Sequence, residues 1–191
     1  MKGKFVLVVG TSGSGKNTLI EHVRPLVTEV VYAKSCVTRA PREGEDSGYR
    51  YFVSREDFET RVKNGEFLEW AEYGGNLYGT LRAEVENPMR DGKIVLKELE
   101  VQGVRQIRGK IPKEDLVIVF INAGSWEDVE ARIKARAPIT EGELAKRKER
   151  YDDEMSYMKE ADIVIENPQG QVERAKKDFE KALRLVVEAV R

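Results

Sequence analysis

The sequence predicts an α/β fold in which a parallel sheet is flanked by helices, and three observations lead there. Apolar runs rich in Val and Ile recur at 5–9, 30–33, 94–96, 116–121 and 162–167, most without strict alternation, as expected of strands buried on both faces. Helical periodicity fills much of the chain between them. The first run ends in a glycine-rich turn that opens a helix, so the order is strand, glycine loop, helix. A length of 191 residues suits one compact domain carrying small insertions.

Taken in order, FVLVV (5–9) stops at Gly10, and Thr18 to Arg24 reads as a helix halted near Pro25. Residues 36–82 break the rhythm. They hold strand-like YFV (51–53) and EFLEWAEY (66–73), a helix capped by Ser54, and the turn-rich GGNLYG at 74–79, which together read as a small mixed insertion. Ser125-Trp126-Glu127-Asp128 caps a helix running to about Arg136. Thr140 and Glu143 form a capping box that opens a charged helix to about Tyr157. From Val172 onward, Ala175, Phe179, Leu183 and Val187 share a helical face. These boundaries divide one domain into a core (1–34, 83–125 and 159–191), an insertion (35–82) and a helical flap (126–158).

With 33 basic and 34 acidic residues the net charge is −1, which excludes a general electrostatic pull toward nucleic acid or an anionic membrane. An anionic substrate must therefore be met by a few placed Arg and Lys. The single cysteine, Cys36, has no internal disulfide partner, and the N-terminus lacks a signal-peptide pattern, so a cytoplasmic protein is expected. The apolar runs fall far short of the ~20 residues of a membrane helix. His22 and Cys36 lack partner patterns and read as structural, and no Cys/His cluster has metal-site spacing.

Residues 4–18, KFVLVVGTSGSGKNT, match the phosphate-cradling loop G-x-x-x-x-G-K-[S/T] through Gly10, Gly15 and Lys16, with Asn17 where a hydroxyl is usual. Backbone N–H groups from Gly10 through Gly15 (Thr11, Ser12, Gly13 and Ser14 between them) and on to Thr18 can surround phosphate oxygens at the positive end of a helix, and Lys16 adds a point charge. The loop implies a nucleoside triphosphate such as ATP. Asn17 keeps an amide oxygen that suits a hard metal ion, and Thr18 keeps a hydroxyl one residue later.

From Ser35 the chain reads SCVTRAPREGEDSGYRYF and then NGEFLEWAEYGGNLYGT up to Thr80. These stretches resemble the guanylate kinase family, with its S-x-x-T-R-x-P-R-x-G-E-x-x-G-x-x-Y-x-F and F-x-E-x-A-x-x-x-G-x-x-Y-G-T/S patterns. VQG at 101–103, lid arginines and the IVIEN strand follow in family order. The resemblance implies a P-loop NTPase-type sheet, a monophosphate-binding insertion at 35–82 and a lid at 126–158. It further implies Mg2+-dependent transfer of a phosphoryl group from ATP to GMP, with no nucleic-acid or membrane partner and no protein partner specified.

By the same resemblance, Arg39, Arg42, Tyr51 and Tyr78 hold the acceptor phosphate, and Ser35, Glu69 and Thr80 read guanine. Lys16, Arg39, Arg136 and Arg147 serve the transfer, with Arg132 a further lid candidate. Asn167 lies near the donor base, Glu98 and Asn17 serve the metal, and Glu100 serves GMP or the metal. The chemistry is consistent. Arginine forks pair with phosphate oxygens, and a carboxylate accepts from both N1–H and the 2-amino group of guanine, where adenine offers a bare acceptor at N1. The chain departs from the family at Lys97 (an apolar site), at Glu100 (Asp), in the Arg136-Ala-Pro-Ile-Thr140 lid turn, and at Pro168. Two rivals remain: a kinase of sugar phosphates on the same scaffold, and a guanylate-kinase-like module that binds proteins without turnover.

Overall fold

The computed structural model describes residues 3–42, 45, 47–136 and 138–190. Along them run β1 (Lys4–Gly10), α1 (Lys16–Val23), β2 (Val30–Tyr32), β3 (Ser35–Val37), β4 (Arg50–Phe52), α2 (Arg55–Lys63), β5 (Phe67–Tyr73) and β6 (Asn76–Leu81). Then come α3 (Arg82–Arg90), β7 (Ile94–Glu98), α4 (Val101–Ile107), β8 (Leu116–Asn122), α5 (Trp126–Arg136), α6 (Glu141–Ser156), β9 (Ile163–Glu166) and α7 (Val172–Glu188).

The first sheet has the order β2-β7-β1-β8-β9, and its pairings are parallel. β1 lies at its centre because it is apolar on both faces. Val6 and Val8 join Leu19, Val23, Phe179 and Leu183 of α1 and α7 on one side. Phe5, Leu7 and Val9 join Val85, Met89, Val104 and Ile107 of α3 and α4 on the other. The strands run together, so Gly10, Glu98, Asn122 and Glu166 all emerge at one edge, where ligands of open α/β sheets bind.

A second sheet, β4-β3-β6-β5, is mixed: β3 and β4 are parallel, while β3–β6 and β5–β6 are antiparallel. Its core is small. Cys36, Phe58, Phe67 and Leu77 are buried together, with the rings of Phe58 and Phe67 stacked at 4.4 Å. Ser54 accepts a hydrogen bond from the Asp57 N–H and caps α2, as its sequence indicates.

The expectations differ from the structure at four places. Of GGNLYG, only Gly74 and Gly75 turn, both at positive φ, and the rest is β6, which pairs with β5 as a hairpin. α3 escaped notice because Pro88 sits inside it, and α4 because it is only seven residues long. β3 is a strand of three residues, too short to show a period. The capping box of α6 is formed in full, whereas the Ser125 hydroxyl meets the Asp128 N–H only at 3.4 Å.

Because Phe58 is fully buried in a cluster with few other large side chains, Phe58→Ala leaves a cavity that little can refill. It should lower the free energy of unfolding by about 3–5 kcal/mol in a urea titration. A loss below about 1 kcal/mol would show that the small sheet does not depend on this ring.

Candidate active site

The phosphate loop lies between β1 and α1 in a conformation its glycines permit. Gly10 has φ +150°, and a β-carbon there would come within 2.5 Å of the Ile121 carbonyl. Gly15 has φ +91°, and a β-carbon would meet the Asn167 amide nitrogen at 2.6 Å. That amide donates to the Ser14 carbonyl at 2.8 Å, so Asn167, placed by the end of β9, braces the loop. Lys16 curls over the loop and donates to the Gly10 carbonyl at 2.7 Å and the Thr11 carbonyl at 3.1 Å. Its ammonium is also 3.8 Å from the Glu98 carboxylate at the end of β7. The Thr11 and Ser14 hydroxyls are buried without a hydrogen-bond partner among the described residues. Asn17 and Thr18 are exposed on the first turn of α1.

Of the residues expected to hold a phosphate, the Arg39 side chain and the Arg42 backbone are held by one carboxylate, Glu45. Glu45 accepts from both terminal nitrogens of Arg39, from Arg50 Nε at 2.7 Å, and from the Arg42 backbone N–H at 3.0 Å. The Arg39 guanidinium holds the Glu45 carboxyl well below the usual carboxylate range. Tyr78 is also within hydrogen-bonding reach of Arg39. Arg39 and Tyr78 are thus brought together, whereas the Arg42 side chain is exposed. The Tyr51 hydroxyl donates to Glu84 at 2.8 Å, and its ring faces the Lys34 ammonium.

Of the residues expected to read a base, Glu69 and Thr80 are buried and Ser35 is half-buried. Glu69 on β5 is 6% exposed, and Thr80 on β6 donates to it at 2.6 Å. Burial raises the Glu69 carboxyl above its ordinary value, against the pull of the Thr80 bond and the Lys97 charge. Gly103 on α4 leaves room for it, since a β-carbon there would lie 3.2 Å from Glu69 Oε2. Lys97, the departure on β7, is buried and donates to the Ala33 carbonyl at 3.0 Å and the Ser35 hydroxyl at 2.6 Å. Burial lowers its ammonium to about 8, with Glu69 pulling the other way.

The charged helix α6 reaches both halves of the site. Arg147 donates to the Ser12 hydroxyl at 3.0 Å, and Arg150 to the Tyr73 hydroxyl at 2.9 Å. Arg132 on α5 instead donates to the Asn167 carbonyl at 2.7 Å. The side chain of Arg136, an expected transfer residue, lies outside the described residues. Glu100 is exposed at the start of α4.

Sequence reasoning missed Glu45, Arg50, Glu84 and Glu154. Glu45 stood inside the quoted R-x-G-E pattern, and that was its signal. Glu154 had one as well: it follows Arg147 by two helical turns and so shares its face. It accepts from the Ser12 backbone N–H, and burial pushes its carboxyl from 4.5 up to about 7, against the nearby Lys16 charge.

The oxygen donors of Asn17 and Glu98 suit a hard cation. Among the described residues no cluster of three or more His, Cys, Asp or Glu could cage one. Two such oxygen donors fit a Mg2+ ion whose remaining positions are taken by phosphate oxygens and water. His22 lies 3.9 Å from Glu180, and Cys36 is buried in the small core. Among the described residues no helix is long and apolar enough to cross a membrane.

Comparison with known proteins agrees with this geometry. Residues 2–185 match the family model described as guanylate kinase. The chain is 40% identical over 187 residues to a guanylate kinase of Rubrobacter xylanophilus, covering 97% of this chain and 96% of that one. It is 35% identical over 192 residues to a guanylate kinase of Thermotoga maritima, covering 100% of this chain and 87% of the other. The crystal structure of guanylate kinase from Anaplasma phagocytophilum superposes with a TM-score of 0.71 at 29% identity, covering 96% of this chain and 85% of that chain. With a buried carboxylate, an arginine cluster and a glycine loop grouped as described, and similarity of this extent, the chain belongs to the guanylate kinase family.

Proposed function

We propose that the protein transfers the terminal phosphoryl group of ATP to GMP, giving ADP and GDP, in the cytoplasm. The observation that carries this reading is Glu69, a nearly enclosed carboxylate bonded to Thr80 in the small sheet, suited to accept from N1–H and the 2-amino group of guanine. A sugar phosphate would give that carboxylate no such edge to read. In this reading 35–82 is the GMP-binding region, 126–158 the lid, and the remainder the core.

The phosphate loop and Lys16 bind the triphosphate of ATP, and Asn167 braces that loop near the donor base. Arg39, Arg42, Tyr51 and Tyr78 enclose the GMP phosphate, with Glu45 and Glu84 orienting Arg39 and Tyr51 until it arrives. Ser35 and Thr80 complete the base site, and Glu100 serves the acceptor nucleotide. Asn17 and Glu98 would hold a Mg2+ ion, which would supply charge neutralisation for the transferred phosphoryl group. Arg136 and Arg147, delivered by the lid with Arg132 at its root, offset the charge spread over the equatorial oxygens and exclude water. No nucleophile from the protein is required. ADP formation measured with GMP, dGMP, AMP, UMP and CMP in parallel tests the reading; turnover with GMP no faster than with AMP would overturn it.

Glu69→Gln retains one acceptor and loses the charge-assisted pair, so kcat/KM for GMP should fall about tenfold or more while that for AMP does not fall equally. Wild-type efficiency with GMP in this variant would refute the base assignment.

Lys16→Ala removes the point charge over the loop and should reduce kcat about 100-fold or more. Asn17→Gly gives up one exposed amide and should stay within about tenfold at saturating Mg2+. Equal collapse of both variants in the same steady-state assay would give Asn17 an essential role.

Glu154 holds its proton to about pH 7 in the folded chain, whereas an unfolded carboxyl loses it near 4.5. Between those values the native state binds more protons, so stability from this group is full below the ordinary carboxylate range and lost as the pH passes 7. Glu154→Gln should therefore lose less thermal-unfolding midpoint between pH 5 and pH 8 than the parent. Parallel curves for the two proteins would show that Glu154 titrates elsewhere.

A further inference from the structure

Lys97 is the feature that the proposed chemistry leaves unused. An ammonium is buried in the middle layer of an α/β core where an apolar side chain would pack without a desolvation cost. It projects from β7 of the large sheet to the Ser35 hydroxyl on β3 of the small one, 62 residues earlier. An ammonium has hydrogens to give and no lone pair to offer, so in this 2.6 Å contact Ser35 can only accept. The hydrogen of Ser35 must then point elsewhere, and its hydroxyl makes no other hydrogen bond among the described residues. Thr80, the other hydroxyl of the base site, has already given its hydrogen to Glu69. The site is left with one carboxylate that accepts and one hydroxyl committed to donate.

That polarity matches one purine edge. Guanine sets a carbonyl oxygen at position 6 beside its N1–H, where adenine sets an amino group. We infer that Lys97 is a positioning residue for guanine recognition, fixing the Ser35 hydroxyl as a donor to the position-6 carbonyl and turning it against a position-6 amino group. The second lone pair of Ser35 offers little to adenine, because an amino group approaching it brings its positive hydrogens toward the ammonium behind. The inference rests on the proposed reading of Ser35 and Glu69 as the base-contacting residues.

The test uses two ligands and a double-mutant cycle. GMP carries the position-6 carbonyl; 2-aminopurine riboside 5′-monophosphate lacks it, and the N1–H with it, but keeps the 2-amino group that Glu69 accepts from, and its binding is read by its own fluorescence, so that the Ser35→Ala arm of the cycle assigns the difference to position 6. Lys97→Met and Ser35→Ala should each weaken the Kd for GMP about tenfold. Each should leave the Kd for the 2-aminopurine nucleotide within about twofold, which also certifies the fold of the variant. The double variant should be no weaker for GMP than Ser35→Ala alone, because both changes remove the same bond. Losses that multiply, or a Lys97→Met loss shared by both nucleotides, would place Lys97 in another role and overturn the inference. Glu69→Gln separates the two levels of failure. If it weakens GMP while Ser35→Ala does not, only the Lys97–Ser35 assignment falls; if neither changes GMP binding, the base site itself has been misplaced.

Discussion

A charge removed from water must be met by other charges or by aimed dipoles, and here that requirement ties the two sheets together. Lys97 comes from the large sheet and Glu69, Thr80 and Ser35 from the small one, with Thr80 bonded to Glu69 and Lys97 bonded to Ser35. The position of the insertion over the edge of the core is thus set by polar pairing as well as by apolar packing. Gly103 contributes by what it lacks, since a side chain on α4 would crowd the carboxylate.

The helical flap is joined to the rest by similar means. Its apolar cluster, Ala123, Val129 and Ile133 with Trp126 and Tyr151 against them, is small. Its connections to the loop and to β5 include polar bonds at exposed or half-exposed positions, such as Arg147 to Ser12 and Arg150 to Tyr73, beside the buried Glu154 that accepts from the Ser12 N–H. Exposed contacts of this type are individually weak in water and easily exchanged, which suits the lid role proposed for this element.

The large sheet and its glycine loop were legible in the sequence because their signals are contiguous: a Val-rich run, a turn in motif register, a helix. The residues of the base site were legible through a resemblance, while their mutual contacts were not. Ser35 and Lys97 lie 62 residues apart on strands of different sheets and meet only in the fold, a relation with no trace in local spacing. α3 was hidden by Pro88, which local rules place outside a helix, although the helix accommodates it. β6 was hidden by the glycines beside it, and Glu154 by the many charges around it on α6.

Glu45 occupies the centre of the arginine cluster, bonded to Arg39, to Arg50 and to the Arg42 backbone. Flexible guanidinium chains are costly to immobilise, on the order of 2 kcal/mol of rotamer freedom each. Here that ordering is completed when the chain folds, before any anion enters. In the proposed reading an incoming phosphate meets an Arg39 fork that Glu45 already holds and exchanges one oxyanion for another, so that little conformational entropy of that side chain is lost.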